Sequence, residues 1–283
     1  MVWEVAGRVG AAATDDERIE PAAPRAGHEG EDLFSRRRRA GIWTASVLAG
    51  LVVWQFVGSV PLRGSLFFVP FSAVARAQVA WFADGTIWPH LLSSGLELFG
   101  GFLLASLVGV AVGGAMGTLH SVQAFLNPWI AILYATPLVA IFPLYILVFG
   151  IGLAAKTALV FTLAVFPIAI NTLAGFRAAE SRYVELGRSF GATRWQMARK
   201  ILFPSALPFV LSGFRLGFGR GIVAVVVGEF FASTQGIGYL IAEAGATFRP
   251  ARLYAGVMLL GLVALASFAC FDWLERRVSP WKS

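Results

Sequence analysis

The sequence predicts an all-α, polytopic membrane protein of about six transmembrane helices, and three observations carry that prediction. Of its 283 residues, 57% are hydrophobic and only 14% are charged, where soluble domains carry about a quarter charged residues. The mean hydropathy is +0.72. The apolar residues fall in blocks of about 20, the length that crosses a bilayer as a helix, and Lys and Arg collect in the stretches between them.

Several function classes drop out on composition. The net charge of +7 does not mark a nucleic-acid binder, because the basic residues flank apolar blocks instead of forming a patch interleaved with exposed aromatics. A single cysteine, Cys270, lies inside an apolar block, which rules out an intrachain disulfide and gives no thiol metal site. His28, His90 and His120 are far apart and lack metal-ligand spacing. No Gly-x-x-x-x-Gly-Lys-Ser/Thr loop occurs, so no P-loop cradles nucleotide phosphates, and no cofactor is expected. Ser93 and Ser94 near His90 lack an accompanying carboxylate or oxyanion-loop pattern, so a membrane hydrolase is set aside.

Residues 1–40 read as a disordered cytoplasmic tail, acidic and rich in Ala, Pro and Gly, closed by the basic run Arg36 to Arg39. The first span, Gly41 to Val60, lies too far in for a signal peptide and is held with its start in the cytoplasm by those arginines. Residues 61–94 form an outer loop with a short interfacial helix. The second span, about Leu98 to Gly117, repeats a small residue every fourth position (Gly101, Ala105, Gly109, Gly113, Gly117), a smooth ridge for helix packing. After an inner turn at Leu119 to Asn127, a third span runs from about Pro128 to Phe149 with Pro137 and Pro143 inside it. The fourth, about Leu153 to Gly175, carries Pro167. Such prolines bend spans where freed backbone groups face protein or water.

Residues 177 to 208 form a polar island between apolar blocks. Tyr183, Leu186, Gly187 and Phe190 share one helical face and Arg182, Glu185 and Arg188 the other. Gly191 follows where a left-handed residue ends a helix, and Thr193 with Gln196 has the form of a capping box. A second helix carries Trp195, Ala198 and Leu202 as its apolar stripe, and Pro204 ends it. The fifth span, about Pro208 to Phe231, holds Arg215 and Glu229, near enough to its inner and outer ends to reach the interface, and Arg220 near its middle. Residues 233–251 form an outer loop with room for a short helix. The sixth span, about Leu253 to Trp273, ends at Glu275, Arg276 and Arg277, so a transmembrane domain of residues 41–275 is followed by a short cytoplasmic tail, 276–283. Lys and Arg are in excess on the side of the island and of both termini, against five outside (Arg63, Arg76, Lys156, Arg249, Arg252), so the positive-inside rule and the parity of six spans place the island in the cytoplasm.

Glu185, Gly191, Ile201 and Pro204 keep the spacing of the Glu-Ala-Ala loop of ABC importer permeases, which the chain resembles, although Leu186 and Gly187 replace the two alanines and Phe203 a leucine. The pieces Tyr134-Ala-Thr-Pro137 to Gly152, and Gly228-Glu-Phe-Phe-Ala-Ser to Leu240, are similar to the nitrate, sulfonate, taurine and bicarbonate branch. The resemblance implies a permease subunit of a bacterial inner-membrane importer, not itself an enzyme. It implies an ABC ATPase subunit that binds ATP and seats the coupling loop, about 177–207. It further implies an extracytoplasmic solute-binding protein, a second permease subunit as homodimer partner, membrane lipid around the spans, and a small, anionic solute. Glu185, Arg188, Gly191, Arg194 and Pro204 are then the expected coupling residues and Arg220 a pathway residue. An ion-coupled secondary transporter is the alternative; it commonly shows inverted repeats with paired broken helices, and no duplicated halves are visible here. A non-transporting receptor is a third reading.

Overall fold

A computed structural model of the chain describes residues 28–61, 67–178, 185 and 187–278, and every regular element among them is helical. The chain divides into two compact units, Met1–Val53 and Trp54–Ser283. Helix α1 (His28–Ser59) begins in the first. The second unit holds α2 (Phe71–Ala83), α3 (Ile87–Thr118), α4 (His120–Ala135), a 3₁₀ turn (Leu138–Ile141) leading into α5 (Phe142–Phe149), and α6 (Leu153–Arg177). It continues with α7 (Arg194–Met197), a π turn (Ala198–Leu202), α8 (Phe203–Ala232), α9 (Ile237–Ala246) and α10 (Pro250–Val278).

Five segments are long and apolar enough to cross a membrane: Gly41–Ser59, Ile87–Thr118, Leu153–Arg177, Trp195–Phe231 and Pro250–Val278. The sixth is not the single helix expected over Pro128 to Phe149. It is a pair, His120–Ala135 and Leu138–Phe149, bent by 86°. The break follows from Pro137, which pushes Thr136 into an extended conformation at ψ 140°. Pro143 sits in the first turn of α5, where its missing N–H is harmless.

Other boundaries also move. Where composition predicts an unordered segment to residue 40, α1 already starts at His28, because extending an existing helix needs no new nucleus; the remainder of that segment lies outside the described residues. Helix α3 starts at Ile87, well before Leu98, and takes in His90, Ser93, Ser94 and Glu97. Those residues find polar partners: Ser93 on Glu97 of the same helix, Glu97 on Lys156, Ser94 on Glu229 and His90 on the Gly236 N–H, so they need not stay in a loop. The inner turn shrinks to Leu119, in extended conformation between α3 and α4.

The core of the second unit is α6 packed between α3 and α8. Small residues permit the approach: a Cβ added at Gly109 of α3 would stand 2.8 Å from Ile168 Cγ2, and one at Gly217 of α8 would stand 2.9 Å from Ile168 Cδ1. Ile168 of α6 is thus held between two glycines and is fully buried. Phe102, Phe214, Phe218 and Phe271 join α3, α8 and α10 edge to face, with centroids 5.1–6.3 Å apart. A second cluster, centred on Val74, Trp81, Ile87, Ile237, Leu240 and Leu259, holds α2, α9 and α10 together.

Candidate functional site

The polar island folds as the glycine bend that its sequence predicts. Residues 187–189 are helical, and Ser189 Oγ donates to the Glu185 carbonyl at 3.0 Å. Gly191 adopts φ +71°. Its N–H donates to the Arg188 carbonyl at 2.9 Å and the Ala192 N–H to the Gly187 carbonyl at 3.0 Å, the two bonds of a Schellman stop. The capping box is also present: the Thr193 N–H donates to Gln196 Oε1 at 2.9 Å, and the Gln196 N–H to Thr193 Oγ at 3.3 Å. The chain turns once and restarts within three residues.

The two arms of this elbow touch through Gly187, where an added Cβ would lie 3.0 Å from both Met197 Sδ and Ile201 Cδ1. The contact face is therefore Met197 and Ile201, not the stripe of Trp195, Ala198 and Leu202. Trp195 is 73% exposed and Phe190 82%. Glu185 and Arg188 are exposed on the same elbow, and Arg194 opens α7. Tyr183 and Leu186 lie outside the described residues.

Pro204 does not end the second arm. It stands in the first turn of α8, which continues the arm into the membrane span. The π turn makes this continuity feasible: the Phe203 N–H reaches back five residues to the Ala198 carbonyl, a wide turn that relieves the clash a proline ring makes with the carbonyl four residues earlier.

Within the spans the charged residues divide. Arg215 pairs with Asp272 of α10, its guanidinium 5.3 Å above the Phe268 ring, so it is held between helices instead of reaching the interface alone. Glu229 does not reach the interface either; it is 1% exposed. Its carboxylate accepts from Ser94 Oγ and from the Gly238 N–H, each at 2.6 Å. Lys156, expected at the outer end of the fourth span, is buried in the first turn of α6 and paired with Glu97 of α3. Ser93 and Ser94 do have carboxylate neighbours, Glu97 and Glu229, but His90 Nδ1 accepts from the Gly236 N–H and is hydrogen-bonded to neither serine, so no hydrolytic triad forms among the described residues. Arg220 is exposed on a face of α8 with Leu216 and Val223 and forms no hydrogen bond or ion pair among the described residues. The elbow and the Glu229 cluster sit at opposite ends of the 30-residue α8, about 45 Å apart at 1.5 Å per residue.

Glu97 escaped the sequence reading because it lies beside the apolar run taken as the second span. Its signal was present: an acid at the edge of one predicted span and a base, Lys156, just inside another invite pairing.

The family described as "Binding-protein-dependent transport system inner membrane component" matches residues 101–282. The chain belongs to that family. This permease is 32% identical over 253 residues to the taurine transport system permease protein of Escherichia coli (strain K12), covering 88% of this chain and 91% of that protein. It is 31% identical over 242 residues to the nitrate import permease protein of Synechococcus elongatus, covering 81% of this chain and 86% of that protein. It is 27% identical over 249 residues to a putative aliphatic sulfonates transport permease protein of Bacillus subtilis (strain 168), with coverages of 87% and 90%. These relatives agree with the branch read from the Tyr134 to Gly152 and Gly228 to Leu240 segments. Among solved structures, the MetNI methionine ABC transporter in an inward-facing conformation shares the fold, with a TM-score of 0.54 at 22% identity over 68% of this chain and 94% of that chain. The permease is thus a multi-pass inner-membrane component of a transport system.

Proposed function

We propose that this permease forms the translocation pathway for a small, anionic solute and couples it to ATP hydrolysis on a separate ABC ATPase subunit, with the elbow as the coupling device. The observation that carries the reading is the elbow itself. A helix stopped at Gly191 and restarted after Thr193 presents Glu185, Arg188 and Phe190 on its first arm and Trp195 on its second to solvent, and the second arm is continuous with span α8. Exposed aromatics at a stiff bend suit a partner's groove, and continuity with α8 gives movement of the partner a lever into the membrane.

An extracytoplasmic binding protein would deliver the solute, and a second permease, a copy of this chain, would supply the other wall of the pathway in a lipid bilayer. With both termini and the elbow cytoplasmic, the Glu229 end of α8 faces outside. Arg220 supports an anionic solute. It is a cation at mid-span, exposed on its own face of α8, while Glu97 pairs with Lys156, Asp272 pairs with Arg215, and Glu229 is buried and held by the neutral donors Ser94 and Gly238. A mobile anion remains as its counter-charge.

The test is co-purification in detergent. Wild-type chain should retain the ATPase subunit encoded with it, and Glu185→Arg or Gly191→Trp should lose it while remaining monodisperse. Retention of solute uptake by cells lacking every such ATPase would refute the coupling role.

A further inference from the structure

The ends of α3, α6 and α8 remote from the elbow bury three ionisable side chains together: Glu97 at 1% exposure, Lys156 at 5% and Glu229 at 1%. Lys156 pairs with Glu97 and also donates to Ser233 Oγ at 3.0 Å. Both donors to Glu97, Lys156 Nζ and Ser93 Oγ, reach the same oxygen, Oε1. The other, Oε2, is buried and has no hydrogen-bond partner among the described residues. Glu229 is satisfied at both oxygens, by Ser94 and Gly238.

Counting charges exposes the difficulty. Two carboxylates and one ammonium leave one negative charge in excess on side chains almost wholly buried, and the two acids act electrostatically on each other. No other described group corrects the balance. His90 accepts through Nδ1 from Gly236, which an imidazolium cannot do, and it stacks on Tyr239. Glu243 acts on His90 and is itself an acid, and Arg252 acts on Asp84. Two carboxyl groups sharing one buried site do not both ionise.

We propose that Glu97 and Glu229 form a binding site for one proton, with Glu97 Oε2 as the oxygen that has room for it. The cluster is then neutral: one carboxylic acid, one carboxylate and one ammonium. The proton comes from water, which a cleft of about 270 Å³ lined by Ser93, Glu97, Lys156 and Gln235 brings alongside. Its loss would leave net negative charge behind the loop whose Ser233, Gly236, Ile237 and Gly238 are all hydrogen-bonded to the cluster or its neighbours.

Infrared spectroscopy of the purified permease in lipid nanodiscs tests this without any ATPase, so its failure and that of the coupling proposal are separable. At neutral pH exposed carboxyls are ionised, and one protonated-carboxyl band should remain, shift in D₂O, and titrate out as pH rises. Glu97→Gln and Glu229→Gln should each abolish it, since the surviving carboxylate then has Lys156 to itself. Lys156→Met should raise its intensity about twofold, because both acids lose their cation. Gel filtration confirms that each variant is folded, and the wild-type titration decides the matter if a variant is not. No band in the wild type at neutral pH, a band surviving in either Gln variant, or an unchanged band in Lys156→Met would each overturn the proposal.

Discussion

At the scale of single residues, Gly191 and Arg220 make the sharpest claims. Gly191 sits at φ +71° with open space around its Cα, so a substitution there meets backbone strain and no steric clash. Left-handed backbone costs an L-residue about 1–2 kcal/mol. Gly191→Ala should therefore weaken the elbow and lower coupled uptake about tenfold, while Gly191→Asn, which tolerates this conformation, should retain most of it; vesicle uptake driven by internal ATP is the measurement. For Arg220, loss of a charge-assisted contact is worth about 1.5–3 kcal/mol. Arg220→Gln should raise the solute concentration for half-maximal uptake at least about tenfold, Arg220→Lys should recover part of it, and ATPase co-purification should stay unchanged. The residues legible in advance were those whose chemistry is local. A glycine stop and a capping box are written within about ten residues. The Glu97–Lys156 and Ser94–Glu229 contacts join positions 59 and 135 apart in sequence, and no local pattern reports them.

Among the elements, the tightest constraint is Ile168 between Gly109 and Gly217. Overfilling a packed core costs about 1–3 kcal/mol. Gly109→Leu should lower the thermal midpoint of the detergent-solubilised protein, read by the temperature at which half the sample leaves the monodisperse peak. Gly261→Leu, at a position with nothing within 4 Å, should leave it unmoved. The four-residue ridge in the second span was readable because packing of spans depends on small residues at that period. Helix limits were not. Proline and polar residues ordinarily mark boundaries, yet α3 runs through Pro89, His90 and Glu97 because Pro89 lies in its first turn and the polar groups find partners on α6, on α8 and at Gly236, which caps α9. Pro137 carried the opposite lesson: it made a broken pair where one bent helix was expected, while Pro143 only opens the second half.

For the whole molecule, sidedness decides whether the reading can work. In a Cys270→Ser background, Ser189→Cys on the exposed elbow should react with an impermeant maleimide only in inside-out vesicles. Thr234→Cys, exposed at the far end of α8, should react only in right-side-out cells. Both labels on one face would remove the lever from the proposal. The wide turn at Ala198–Leu202 has a further consequence for that lever. One surplus residue is wound into the junction of arm and span, so the junction holds slack. Excising Lys200 should let it close into ordinary winding with the elbow still aimed as before, provided Pro204→Ala accompanies the deletion to remove the ring that would then collide. The same excision deeper in α8, at Leu216, has no slack to draw on and should swing the elbow about 100° around the axis. Transport surviving the first cut and not the second would mark residues 198–202 as the place where evolution can adjust the length of the arm without re-aiming it.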